Sequence, residues 1–375
     1  MGVDGRNVLI AGAGPVGLTA GVELARRGFK PRIVDDAEGP VPLVESRALG
    51  INARSLTLLS PSGVTDLILE KAQPIRNFRI KDGGKTLISL DTGQIPGRFG
   101  AICGLPQGMT ERLLVKRLAE YGLSPEWNVK LDTVSGDLLR PQVTLRYPDN
   151  ATEVVVPDIL IAADGAHSAA RQAVGLGFPG ESLESNFYLA DFRYVSPVET
   201  DFAEILLFNP GMVGRLPVAP DTLRFISTLS DFESRIVHPV AVADRVWSSQ
   251  FRIHFRHVER MSKGNVFLAG DAAHIHSPAG ARGMNLGIED ACWLAYLIAE
   301  GREQEYSDRR MPAVKTVLKQ TYGLTSLVTM KNPMAIGLRN LVIPILLRVP
   351  PVTRRLLRAV AGYDTPPPVW IDGAE

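Results

Sequence analysis

The chain is short of cysteine, of histidine and of any surplus charge. Two cysteines, Cys103 and Cys292, stand in 375 residues. They form no C-x-x-C pair and no framework. That excludes a disulfide-stapled fold and suits a reducing cytoplasm. Both read as buried filler. The 41 basic residues are matched by 40 acidic ones, so composition implies no basic face and no nucleic acid partner. No unbroken apolar run is long enough to span a membrane. The early run "NVLIAGAGPVG" is short, Gly-rich and without a basic leader, so it does not read as a secretory signal. There is no internal repeat and no low-complexity tract. What is present is enough chain for a large core and two domains.

Residues 6–12 read as a buried strand, and "PVGLTAGVELARRG" as a helix with Pro15 in its first turn and Gly28 at its end. "PRIVDD" is a second strand, which makes a βαβ start. Residues 48–60 look helical, as do 110–121, where Leu113, Leu114 and Leu118 form an apolar side. Short alternating runs from Asn128 to Val156 suggest a β-meander. "DILIAADG" and "NVFLAGD" are buried strands ending in turns, and residues 186–258 between them are strand-rich. A long helix spans 283–300. The remainder is helical and punctuated by proline, with a loose end "DTPPPVWIDGAE". The segment "LRNLVIPILLRVPPVTRRLLRAVAG" is apolar and basic together. It reads as helices packing on the body, with attachment to a membrane surface as the lesser alternative.

Gly12, Gly14 and Gly17 form G-x-G-x-x-G between the first strand and its helix. Gly12 permits the tight turn, Gly14 lets a pyrophosphate approach the backbone, and Gly17 lets helix and strand meet closely. The helix N-terminus adds free N–H groups and partial positive charge. Asp35 ends the second strand, where a carboxylate accepts from a ribose hydroxyl. This motif alone does not separate NAD from FAD.

Two further motifs narrow the choice. "ADGAHSAARQAVG" puts Asp164 and Gly165 at one strand end, and "AGDAAH" puts Gly270 and Asp271 at another. With the first fingerprint, in this order and spacing, they resemble the signatures of the class A flavoprotein monooxygenases. That is the para-hydroxybenzoate hydroxylase family, which includes phenol and aromatic-polyketide hydroxylases. The resemblance runs from about residue 6 to about residue 362. It implies an α/β fold: a Rossmann-like FAD-binding domain, an interleaved β-sheet substrate domain and C-terminal helices. The expected FAD domain is discontinuous, formed by residues 1–75, 101–180 and 259–310. Residues 76–100 and 181–258 would form the substrate sheet, 311–362 a helical segment and 363–375 a loose tail. By the same resemblance Arg47 reaches the pyrophosphate region, Gln107 lies beside the ribityl chain, and Asp271 bonds a ribityl hydroxyl. Asp164 belongs to the Asp-Gly signature.

The stretch "LAGDAAHIHSPAGARGMNLG" then reads as a flavin cradle. Pro278, Ala279 and Gly280 pass close to the ring, and Gly283, Met284 and Asn285 open a helix toward the flavin edge that carries charge when reduced. Arg282 is expected to add a full positive charge there, and Asp290 to fix the helix. Ala-Arg-Gly stands where the polyketide and phenol hydroxylases usually have Gly-Gln-Gly. His274 and His276 make a thin metal signal without nearby cysteine or carboxylate ligands, so no metal is expected. His274 is read as structural and His276 as a candidate for the substrate pocket. "RRMPAVKTV" is similar to the family's Arg-Arg-Pro helix with one methionine inserted.

The resemblance further implies that NADPH or NADH reduces the flavin, that O2 adds to give a C4a-hydroperoxide, and that an aromatic substrate is hydroxylated. The nicotinamide cosubstrate would bind transiently, since no second G-x-G-x-x-G is present. Candidate substrate-lining residues are Phe192, Tyr194, Leu206, Phe208, Met212, Leu216, Pro217 and Phe225. On a strand, alternate positions cannot all face one pocket. No catalytic base is identified. A helix expected near 231–246 looks reduced. The remaining alternatives are a same-fold oxygenase of tetracycline-type or Baeyer–Villiger chemistry, or a flavin-holding binding protein with little turnover. The protein is expected to be a monomer or homodimer.

Overall fold

Val8–Ala11 and Ile159–Ala162 are buried at every position. Strands covered on both faces need that composition. They pair in parallel, flanked by Arg32–Asp35 on one side and Val266–Leu268 on the other. With Ser262–Lys263 and Glu126–Trp127 at the edges they form a six-stranded sheet. The helices Pro15–Arg26 and Gly283–Ala299 bury most of their length and share one large core with it. The computed structural model describes residues 5–43, 48–100, 102–209, 211–330 and 332–371. The meander is the three-stranded antiparallel sheet Lys130–Ser135, Gln142–Arg146 and Thr152–Val155.

A second sheet has eight strands. Its long pair is Gly180–Tyr194 and Val242–His257, followed in space by Thr222–Ser227, Met212–Ala219, Phe202–Leu207, Asn77–Asp82 and Lys85–Asp91. The short strand His274–Ile275 joins the opposite edge. The same segment that leaves the parallel sheet therefore ties the two sheets together. Strand alternation gives this sheet two faces. On one, Phe78 and Ile80 pack with Ala53, Leu357, Ala361 and Tyr363, and the Phe255 ring meets Tyr322 of helix Tyr306–Val328. This inner face looks toward the parallel sheet and its helices. The outer face is covered by Phe232 and Ile236.

Two local expectations change, and a third, the reduced helix, is made specific. The stretch 48–60 begins with the strand Gly50–Ile51 and becomes helical only at Ala53–Leu59, where Asn52 Oδ1 caps the Ser55 N–H at 2.9 Å. The reduced helix of 231–246 is a single turn, Phe232–Arg235, after which strand Val242–His257 begins. The tail is not loose through Ile371. Trp370 stacks on Tyr296 with centroids 4.4 Å apart and meets Trp293 at 4.8 Å, and Thr365 donates to Glu289 at 2.7 Å. Two aromatic contacts and a buried hydrogen bond outweigh the disorder that its prolines suggested. No single described helix is long and apolar enough to cross a membrane.

Candidate active site

The three glycines of the first turn serve different needs. Gly12 has φ +102°, and a Cβ there would lie 2.2 Å from the Ala163 carbonyl oxygen. A Cβ at Gly17 would lie 1.8 Å from the Gly12 carbonyl oxygen. At Gly14 a Cβ meets nothing within 4 Å. Internal packing thus demands the first and third glycines but not the second. Beside Gly14 is a cavity of about 560 Å³, lined among others by Ala13, Asp35, Val41, Glu111 and Trp127. That is the size of a ligand site. Gly14 N-caps helix Pro15–Arg26 without a side chain to bond the first turn, so those N–H groups and the positive helix end suit an anion.

Asp35 holds the rim. Its carboxylate accepts from the Ala13 N–H on one oxygen and from the Ala37 N–H on the other, at 2.8 Å. Glu111 was not singled out from sequence. It is buried, accepts from the Val41 N–H at 2.7 Å, and accepts from Gln107 Nε2 at 2.9 Å. Burial pushes its carboxyl above the ordinary range against those hydrogen bonds. Gln107 and Glu111 lie four apart on helix Gln107–Glu120, and that spacing was the available signal. Arg112 also donates to the Val41 carbonyl at 2.8 Å, so the loop Ala37–Pro42 is fixed as a cavity wall. Arg47 lies outside the described residues.

The Asp-Gly and Gly-Asp turns reach the same edge, because strands Val8–Ala11, Arg32–Asp35, Ile159–Ala162 and Val266–Leu268 run parallel and present their carboxyl ends there. Asp164 accepts from the Ala170 N–H at 3.1 Å, while its buried Oδ1 has no partner among the described residues. Burial raises its pKa, opposed by Ser168 and backbone N–H groups. Arg171 ties the two turns together, donating to the Ala166 and Ala272 carbonyls at 2.9 Å each. Gly270 has φ +60°, and a Cβ there would press on Val16 at 2.8 Å. A Cβ at Gly287 would press on the same Val16 at 2.5 Å, so helices Pro15–Arg26 and Gly283–Ala299 meet near their starts. Asp271 is open to solvent yet hemmed in by protein, which raises its pKa; His274 opposes the shift.

Asp290 anchors this turn. It accepts from His274 Nε2 at 2.6 Å, from the Gly270 N–H at 3.2 Å and from Arg310 Nε at 2.8 Å. Burial opposes its charge, but Arg310 and His274 outweigh it and hold the carboxyl below its usual range. Arg310 also meets Glu289 at 3.0 Å. The looser Arg-Arg-Met-Pro match thus supplies a buried cation to the helix. Among the described residues no group of three or more His, Cys, Asp or Glu side chains is placed to hold a metal ion.

Pro278 and Gly280 are exposed in the loop ahead of helix Gly283–Ala299, and a Cβ at Gly283 meets nothing. Ala281, where the polyketide and phenol hydroxylases usually have glycine, takes φ +53°. Asn285 is buried; it donates to the Gly50 and Ala281 carbonyls at 2.8 and 2.6 Å and accepts from the Asn52 N–H. Its side chain stitches the loop to a neighbouring strand, and Met284 packs on the core. Arg282 is not the spare charge that its place beside the helix start suggests. It is 4% exposed, pairs with Asp364 at 2.8 Å and donates to the Ala359 carbonyl. Its charge is balanced inside the protein instead of being added to the helix start. His276 Nδ1 donates to the Ser277 carbonyl at 2.8 Å, and its Nε2 has no partner among the described residues. Burial lowers its pKa to about 3.

The substrate candidates divide by strand face. Phe192, Tyr194, Phe225, Leu206 and Phe208 pack in the outer cluster with Phe232. Pro217, opposite Leu223 of that cluster, shares their face. Met212 lies on the inner face with Phe187, Ile226 and Phe251, and Leu216, two pairs from Gly214, follows it there. The aromatic run read as a pocket wall is therefore largely the outer core. The inner face instead carries a buried pair, Asp191 and Arg224, bonded at 2.7 and 2.8 Å beside Trp247.

The FAD binding domain family matches residues 6–228 and 228–321. The 6-methylpretetramide 4-monooxygenase of Streptomyces rimosus is 33% identical over 96% of this chain and 69% of its own length. The pentachlorophenol 4-monooxygenase of Sphingobium chlorophenolicum is 29% identical over 86% of this chain and 64% of its own length. Among solved structures, the anhydrotetracycline hydroxylase OxyS from Streptomyces rimosus superposes with a TM-score of 0.79 at 27% identity, covering 97% of this chain and 77% of that one. The cradle at Gly14, the rim at Asp35 and the open carboxylate at Asp271 fit FAD, and the chain belongs to the FAD-dependent aromatic monooxygenase family.

Proposed function

We propose that the chain hydroxylates a phenolic or polycyclic aromatic substrate, taking one oxygen atom from O2 and two electrons from NADPH or NADH. The balance is ArH + O2 + NAD(P)H + H⁺ → ArOH + NAD(P)⁺ + H2O. One observation carries the reading: Gly14, Asp35, Asp164, Asp271 and the start of helix Gly283–Ala299 all stand at the carboxyl edge of one parallel sheet. FAD, when bound, supplies the redox chemistry. The protein supplies the setting. N–H groups after Gly14 hold the diphosphate, Asp35 the ribose, and Asp271 with Gln107 the ribityl chain. The start of helix Gly283–Ala299 offers positive potential to the flavin. The inner sheet face orients the aromatic ring and keeps water away. The substrate class rests on relatives named for 6-methylpretetramide, pentachlorophenol and anhydrotetracycline.

The test is anaerobic reduction of the bound flavin by NADPH and by NADH, with and without a panel of phenols and polycyclic aromatics. Acceleration by one compound, followed by its hydroxylated product when oxygen is admitted, is the expected result. Reduction and reoxidation with no product from any panel member would favour a flavin-holding protein instead.

A further inference from the structure

The C-terminal helix Pro333–Leu346 is apolar on two faces. Its inner side is satisfied: Ile336 is buried, Ile343 and Leu347 join a core cluster, and Asn340 donates to Asp82 at 2.8 Å. Met334, Leu338, Leu341 and Ile345 recur at spacings of four, three and four on the other side, which makes one helical stripe. They are 83, 62, 64 and 56% exposed. Scattered exposed leucines need no explanation, but a continuous stripe of this kind marks an interaction surface.

The charge around the stripe selects the partner. From Asn332 to Tyr363 the sequence has no Asp or Glu and five arginines. Arg348 follows the helix, and Arg354 and Arg355 lie on helix Pro350–Ala361, which bends away by 99°. All three are exposed, and none is ion-paired to a described residue. A second copy docked on this face would bring arginines with no carboxylate in the segment to meet them. An anionic bilayer surface offers both an apolar layer for the stripe and phosphates for its rim. We propose that this helix pair is a peripheral membrane anchor for anionic phospholipid, lying in the surface without crossing it. The proposal concerns a face remote in chemistry from the flavin cradle, so its test reads lipid binding and not turnover.

The experiment is cosedimentation of the purified full chain with vesicles of phosphatidylcholine alone, and of phosphatidylcholine with phosphatidylglycerol, at low and high salt. Binding to the anionic vesicles at low salt, weakened by salt, is expected. Replacing Arg348, Arg354 and Arg355 together by serine should weaken it roughly a hundredfold, at a few-fold per basic residue. Leu338→Glu with Ile345→Glu should abolish it while flavin content stays normal, since both side chains are solvent-facing. No binding to anionic vesicles, or unaltered binding by the double glutamate variant, overturns the proposal. So does sedimentation velocity showing a dimer that this variant dissociates, because the face would then be a protein interface.

Discussion

At Gly14 the added atom decides between folding and binding. A side chain there meets no protein atom, and the backbone is extended with φ −71°, so Gly14→Val is compatible with the fold. It projects toward the space where a diphosphate must approach. Gly12→Val faces the opposite situation, with positive φ and a carbonyl 2.2 Å from its Cβ. Gly14→Val should therefore give soluble, normally melting protein without bound FAD, while Gly12→Val should not fold. Flavin absorbance per mole of protein, read beside a melting curve, checks both; full FAD content in Gly14→Val would remove the cradle. This distinction was legible in the sequence because each glycine of the motif has its own physical task. Glu111 was not, because its task depends on a loop 70 residues earlier that only folding brings to it. Arg282 misled for a similar reason. An arginine beside a helix start looks like spare charge until Asp364 arrives from the far end of the chain.

Among the elements, helix Gly283–Ala299 depends most on buried charge. Arg310 is fully buried between Glu289 and Asp290, and Asp290 in turn carries His274 and the Gly270 N–H. Removing the cation leaves two carboxylates facing each other in the core. Such a loss costs about 3–5 kcal/mol, more than exposed pairs such as Arg302–Glu305 contribute. Arg310→Met should accordingly lower the melting temperature sharply and loosen FAD, whereas Arg302→Met should change little. Equal, small effects from both would show that the network does not hold the turn. Periodicity found most elements, since buried parallel strands and long helices have strong patterns of their own. It could not assign the faces of the second sheet. Phe192, Tyr194 and Phe225 alternate correctly for a buried face, but only the position of Phe232 and the flavin-domain helices says which side that face occupies.

For the whole molecule, the segment His274–Gly283 matters because it links both sheets to the helix that opens on the cradle. His276 lies in it, with its pKa depressed to about 3 by burial and by the nearby charges of His274 and Arg282. The unfolded chain binds this proton near pH 6.5; between that value and the folded one, the unfolded state holds more protons. Stability must then fall as pH falls through this window. From about pH 8 to about pH 5 the loss from this one group is about 2 kcal/mol. The raised carboxyls Asp164, Glu111 and Asp271 act with the opposite sign, retaining protons in the folded state as pH falls. Glu153, held near 2 by Arg32, acts with the same sign as His276 but only below the ordinary carboxylate range. The native profile alone is a mixture, and the difference between native protein and His276→Gln isolates the imidazole. Denaturant midpoints at pH 8, 7, 6 and 5 should converge on or cross those of the variant as pH drops, because the variant lacks the proton the native histidine refuses. Parallel profiles would mean that the junction opens enough to hydrate the ring, so that burial does not hold the imidazole neutral.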